Sequence, residues 1–355
     1  MNAHQKSSML VIVYDSVTNS VFESQVYAPL IAMHEAGIAK EITIATFESN
    51  PAAAGRAIGP LKHPAIRFLV LKRLPLVSRA TLLLAAAQLF AVTRDRTYTV
   101  VRARGPLAGV IGQWLGWFFW LTGKRTRLVV QARGLCAEEF RFACEQQELT
   151  PGKRLIAWWR KRLFKAIERR AYAWDAATII EAVSAPLASH LEQTYASNPE
   201  RIVIAAYDGV PSLPPAYIAV QKAKMHAVLG IPPQRTVFCY SGSCKPWQCA
   251  EETIAWFEKE IATGVDGHLV IFSQDTEAFK RLVAQHGLPA DRVVVHAVAP
   301  SQLLDYLCVA DVGILLRKPD IVNWVSRPTK LLEYQAVGLK IVHNNTIGIL
   351  ATRSS

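Results

Sequence analysis

No window of this 355-residue chain offers the 20 or so uninterrupted apolar residues that a membrane-spanning helix needs. The nearest are Ala80 to Val92 and Leu107 to Gly123, and the second is broken by Gln113 and three interior glycines. They suit buried core helices or helices lying at a membrane interface. The start, "MNAHQKSSMLVIVYDS", lacks the positive head, long apolar core and small-residue cleavage site of a secretory signal. Cysteine is sparse: six residues, with no CxxC pair and no Cys/His set at zinc spacing. Cys136, Cys144, Cys239, Cys244, Cys249 and Cys308 therefore read as reduced, largely core residues of a cytosolic protein. Acid is also short, 28 Asp and Glu against 40 Lys and Arg, which leaves a net charge of +12. Such a balance favours an anionic partner: nucleic acid, an acidic membrane surface or a phosphate-bearing substrate. No helix-turn-helix, zinc-finger or RNP pattern is present, so the expectation is that no nucleic acid is bound.

What is present is a core-forming composition, 51% hydrophobic and 19% charged, with a clear rhythm. Short apolar runs alternate with helix-like stretches: "MLVIVY", "EITIATF", "IRFLVL", "YTVVRA", "RLVVQA", "ATIIEAVS" and "RIVIAA". This is the βαβ pattern of a parallel sheet covered on both faces. Prolines at 211, 214 and 215 interrupt it, because proline sits poorly in helix interiors and central strands. An interdomain linker is expected near Pro211 to Ala216, between an N-terminal domain over 1–212 and a C-terminal domain over 217–355. The rhythm then restarts with "TVFCYSG", "HLVIFSQ", "RVVVHAV", "DVGILL" and "KIVHN". Two α/β domains suggest ligand binding in a cleft, beyond the carboxyl ends of the strands.

Near the end lies "RPTKLLEYQAVGLKIV", from Arg327 to Val342. Pro328 suits a first helical turn and Gly338 a helix end. Lys330 and Glu333, three apart, share a face, and a helix start beside a lysine is a ready anion site. A surface Lys–Glu pair is the alternative reading. This stretch resembles the donor-nucleotide motif of family-4 glycosyltransferases, whose usual form is close to "sPtKllEymAcGlPvV". "YSGSCKPWQCAEETIAWF", "SQLLDYLCVADVGILL", "NSVFESQVYAPLIAMHEAG" and "VVQARGLCAEEF" resemble other segments of that family, between about residues 9 and 345.

The resemblance implies the GT-B fold, two Rossmann-like doubly wound domains facing a cleft. It implies a nucleotide-sugar donor on the second domain, a glycan acceptor on the first, retention of anomeric configuration, and neither metal nor resident cofactor. Glu333 would hold the donor ribose, with Lys330 and the backbone near Thr329 facing the diphosphate or the sugar. Gly242, Ser243, Pro328 and Leu331 would flank the donor. Two departures stand out. The family often has a second glutamate eight positions before the first, and here that position is Val325, leaving Asn323 or Ser326 for the sugar. Many members carry an Arg and a Lys after the first strand of the second domain, and here Lys245 is the only cation in "SGSCKPWQC".

On the acceptor side, "DSVTNSVFESQV" has no glycine-rich turn. Ser16, Asn19 and Ser20 present small polar groups there, with Asn19 or Ser20 as a helix N-cap, and capping explains them as well as phosphate contact does. Arg104, Arg133 and Glu138 follow strands, and an Arg–Glu structural pair accounts for them equally. Between Lys153 and Trp174, Ile156, Trp159, Leu163, Ile167, Ala171 and Trp174 recur at helical spacing among Arg160, Lys161, Arg162, Lys165 and Arg169. A basic, Trp-bearing helix suits an anionic membrane interface, and a core-packed helix with a solvated face is the alternative. With "WLGWFFWL" it suggests a lipid-linked acceptor and a peripheral place on the inner face of the plasma membrane. The chain stops at "NNTIGILATRSS" where the family continues. A truncated, inactive donor-binding protein with an exposed sheet edge is therefore the other expectation, and a basic nucleic-acid-binding protein a distant third.

Overall fold

The computed structural model describes residues 7–19, 22–173, 178–205, 210–245 and 248–351. The chain forms two compact units, 1–209 and 210–355.

In the first unit the elements run β1 (Ser7–Val13), α1 (Ala28–Glu35), β2 (Ala39–Glu48), α2 (Pro51–Ile58), β3 (Ile66–Lys72), α3 (Arg79–Thr93), β4 (Val100–Arg104) and α4 (Gly105–Leu121). They continue through β5 (Arg127–Ala132), α5 (Cys136–Glu145), α6 (Pro151–Ala173), β6 (Ile179–Ala182), α7 (Ala185–Tyr195) and β7 (Ile202–Ile204). The second unit runs α8 (Pro215–Leu229), β8 (Thr236–Ser241), α9 (Ala250–Ala262), β9 (Gly267–Phe272), α10 (Thr276–Gln285), β10 (Val293–His296) and α11 (Leu303–Leu307). It ends β11 (Val312–Leu315), α12 (Ile321–Trp324), α13 (Thr329–Ala336), β12 (Lys340–His343) and α14 (Gly348–Ala351).

All twelve apolar runs picked from the sequence are strands. The first sheet has the order β3-β2-β1-β4-β5-β6-β7 and the second β10-β9-β8-β11-β12. Every pairing is parallel. Helices cover both faces, which is why the strands read as continuous apolar runs rather than alternating ones. In β8 and β9 the side chains divide by parity. Val237, Cys239, Val270 and Phe272 pack with Leu331 and Tyr334, whereas Phe238, Tyr240, Leu269 and Ile271 pack with Ile254 and Phe257.

Each sheet has one place where the strand order reverses, between β1 and β4 and between β8 and β11. There the helices leave opposite faces and open a crevice at the strands' carboxyl ends. In the first unit Tyr14–Ser16 and Arg104 lie at that switch point, and in the second, taken by itself, Gly242 and the loop from Arg317 do.

Two local expectations need correction. The stretch Pro211–Ala216 is not all linker: Leu213 packs against the second core and donates its N–H to the carbonyl of Ala336 at 2.9 Å. Pro214 and Pro215 cap and begin α8, where a missing N–H is harmless. The apolar stripe of α6 splits in two: Ile167 and Ala171 are buried, but Ile156 and Trp159 are about 60% exposed. Trp174, also assigned to that stripe, lies outside the described residues. No described helix is long and apolar enough to cross a membrane. The six cysteines are unpaired, with Cys239, Cys249 and Cys308 buried.

Candidate donor and acceptor sites

The second unit's site is built on Tyr334. Its ring lies flat against β11, where Gly313 leaves room: a Cβ there would stand 2.4 Å from the ring. Its hydroxyl accepts from the backbone N–H of Ser241 at 3.1 Å and is 3.5 Å from the carbonyl of Ile314. One buried tyrosine thus ties α13 to the carboxyl ends of β8 and β11. Pro328 is the N-cap of α13, in extended conformation, rather than its first helical residue. Gly338 follows the helix in the left-handed conformation expected of it, φ 72°.

This anchoring drives Lys330 inward. It is buried, and its Nζ lies 3.8 Å from the centroid of the Tyr240 ring and has no hydrogen-bond partner. Gly242 makes the space: its φ is 137°, and an added Cβ would meet Lys330 Cε and Nζ at 2.6 Å. Burial holds the Lys330 ammonium well below the ordinary lysine pKa, the nearby Arg317 guanidinium lowers it further, and Glu333 opposes both. Glu333 is half-buried. Burial raises its carboxyl and Lys330 pulls it back. Lys330 Nζ makes no hydrogen bond to Glu333, so the surface-pair reading fails twice, on exposure and on contact.

Arg317 is the residue that sequence reading missed. It follows β11 at the switch point and is buried with no acidic partner, its Nη1 donating only to the carbonyl of Leu316 at 3.3 Å. Burial lowers its pKa. Its main chain is clamped by Asn344, which accepts from the Arg317 N–H at 3.2 Å and donates to its carbonyl at 2.7 Å. The available signal was positional: an arginine directly after a fully apolar strand of an open parallel sheet.

The remaining donor-side residues divide. Asn323 donates to the Lys318 carbonyl at 2.8 Å and accepts at its own carbonyl from the Ser326 hydroxyl at 2.8 Å. Both therefore fold the 317–328 loop. The side chain of Leu331 is taken up by the core, which corrects its assignment to the donor. Thr329 opens α13, half-buried. Ser243 accepts from the Tyr240 hydroxyl at 2.9 Å through its carbonyl, and Asp275 accepts from the Cys244 N–H at 2.9 Å, so the loop after Gly242 is held at two points. Lys245 is exposed on that loop.

In the first unit, Ser16 has φ 77° and its hydroxyl donates to Glu48, a buried carboxylate that also accepts from the Val17 N–H at 2.8 Å. Glu48, absent from the sequence reading, holds the first loop. Asn19 accepts from the Phe22 N–H at 2.9 Å through its carbonyl, and the turn that follows, Glu23–Tyr27, is π-helical. Ser20 lies outside the described residues. Arg104 is buried, pairing with Asp15 at 3.2 Å and donating to Gln25 Oε1 at 2.8 Å. Arg133 reaches the same Gln25 oxygen at 3.3 Å. Arg104, Arg133, Tyr14, Asp15, Arg73 and Glu139 line a cavity of about 340 Å³ at the strand ends. Glu138 instead turns to Arg141 at 2.7 Å and Lys161 at 3.2 Å. Burial raises its carboxyl, but these cations outweigh that and hold it below the ordinary value. It is a tie between α5 and α6.

No family model and no curated protein sequence matches the chain. Solved structures do. A glycosyltransferase from Rickettsia africae ESF-5 is similar over 99% of this chain and 83% of its own, with TM-score 0.65 at 12% identity. Sucrose-phosphate synthase from Thermosynechococcus elongatus covers 97% and 83%, with TM-score 0.62 at 16% identity. WaaG, a glycosyltransferase involved in lipopolysaccharide biosynthesis, covers 97% and 83%, with TM-score 0.58 at 13% identity. The chain therefore has the α/β fold of the GT-B glycosyltransferases, two parallel sheets each flanked by helices.

Proposed function

We propose that this chain transfers a sugar, with retention of configuration, from a nucleotide-sugar donor to a glycan or lipid-linked acceptor. The observation that carries the reading is Lys330: a buried ammonium without a hydrogen-bond partner, beside a second buried cation, at the switch point of a parallel sheet. An unsatisfied buried donor costs roughly 1–3 kcal/mol, more when charged. A bound anion removes that cost and the Lys330–Arg317 repulsion together. A nucleoside diphosphate is such an anion, and Glu333, half-buried one turn beyond Thr329, offers its carboxylate to ribose hydroxyls. As the donor bond breaks, charge grows on the diphosphate, and preplaced cations stabilise it most at that moment. The leaving diphosphate then takes the acceptor proton. Arg317 adds positive charge to the single lysine, Lys245, of the loop after Gly242.

The names of the similar structures support sugar transfer, and that of WaaG supports a surface-glycolipid acceptor. Acceptor groups fall to the cavity lined by Arg104 and Arg133, which makes Ser16 and Glu138 structural. The test is calorimetric titration with UDP, GDP and their common sugar conjugates, with Glu333→Ala alongside. Binding of one nucleotide, lost in the variant, is the expected result. No binding by any nucleotide would sink the proposal.

A further inference from the structure

The first half of α6 is solvated nearly all round. Residues 151–156 and 158–160 are exposed, although this is the start of a 23-residue helix. The other half is anchored: Ile167, Ala171 and Tyr172 are buried, and Gln113 of α4 donates to the carbonyl of Arg170 at 3.1 Å. Among the exposed residues are Leu155, Ile156, Trp158 and Trp159. At 100° per residue these four fall within one arc of about 160°. Lys153 and Arg160 border the arc on one side and Arg154 on the other, where Lys161 is already tied to Glu138 of α5. The Arg162 guanidinium lies over the Trp158 ring, 4.5 Å from its centroid, within the arc. The helix holds eight Lys and Arg and one acid, Glu168. Glu168 is fully buried, accepting from the Tyr195 hydroxyl at 2.6 Å, so it offsets none of the surface charge.

We infer that this half-helix is a docking surface for an anionic lipid bilayer, its Trp–Leu–Ile arc entering the headgroup boundary and its flanking cations meeting lipid phosphates. An apolar arc bordered by cations fits that boundary, with tryptophan rings at headgroup depth. A protein partner would meet charge without apolar depth at the flanks, and nucleic acid would leave the apolar arc in water. The inference stands independently of sugar transfer, since it needs no donor site.

The test is flotation of the full chain with phosphatidylcholine vesicles, with and without phosphatidylglycerol, at low and high salt. Binding should require phosphatidylglycerol and weaken with salt. The double variant Trp158→Ser/Trp159→Ser should partition roughly 100-fold more weakly. Replacing Lys153 and Arg160 by Gln should weaken binding and flatten its salt dependence. The Trp117→Ser/Trp120→Ser pair, on the exposed end of α4, should leave it unchanged. All these residues are exposed, and circular dichroism of each variant should match the parent. Overturning results are no vesicle binding, equal binding to uncharged vesicles, loss with the α4 pair but not the α6 pair, or retention of duplex RNA or DNA without vesicles.

Discussion

Arg104 in the first unit and Lys330 in the second are both buried cations at the switch point of a parallel sheet, and their surroundings differ. Arg104 meets Asp15 through Nε and Gln25 through Nη2, so a carboxylate of its own unit answers its charge although its Nη1 has no partner. Lys330 faces an aromatic ring, a repelling arginine and a glutamate that does not touch it. The first arrangement stabilises the fold. The second costs stability, and a cost held in place by Gly242, Gly313 and Tyr334 is the mark of a binding site rather than of packing.

Four experiments can break or sharpen that contrast. The largest effect is expected at Gly313→Ala, which sets a methyl group into the Tyr334 ring. Denaturant unfolding should show a loss of about 3 kcal/mol, with nucleotide binding lost as α13 shifts. Glu333→Ala comes next: about a 100-fold loss of nucleotide affinity by calorimetry, equivalent to two charged hydrogen bonds, with an unchanged melt. Third, paired truncations should move stability in opposite directions. Arg104→Met should destabilise by about 2 kcal/mol, leaving Asp15 and Gln25 without their donor, whereas Lys330→Met should stabilise by about 1 kcal/mol while weakening nucleotide binding. Equal signs would end the comparison. The smallest is Glu138→Gln, about 0.5 kcal/mol at a partly solvated tie.

The pH dependence follows from the same contrast. Lys330 is depressed in the folded state, so between its folded and ordinary pKa the unfolded chain binds more protons. Stability from this group is full above the ordinary lysine value and is lost as pH falls through the window down to the folded value. Unfolding midpoints across alkaline pH should show that slope in the parent and not in Lys330→Met. Diphosphate binding favours the ammonium and raises the Lys330 pKa, so titrations within that alkaline window, in buffers of different ionisation enthalpy, should report proton uptake.

The strands were legible to within a few residues at each end, because burial on both faces demands unbroken apolar runs such as "MLVIVY" and "HLVIFSQ". So was the Pro328–Gly338 helix, since its limits follow from local conformational preference. Legibility failed where a residue's meaning depends on distant neighbours. Leu331 and Ser326 sit in the motif as plausibly as Lys330, but one faces the core and the other a carbonyl of its own loop. Arg317 carries no motif, only its position after the apolar run that ends at Leu316. Composition and periodicity by themselves determined two parallel α/β units and their strands, and a motif resemblance marked the Lys330–Glu333 pair as the place to look. Only the tertiary structure decided which cations are answered and which are not, because pairing is settled between residues far apart in sequence: Asp15 with Arg104, Lys330 against Tyr240, and Gly313 making way for Tyr334.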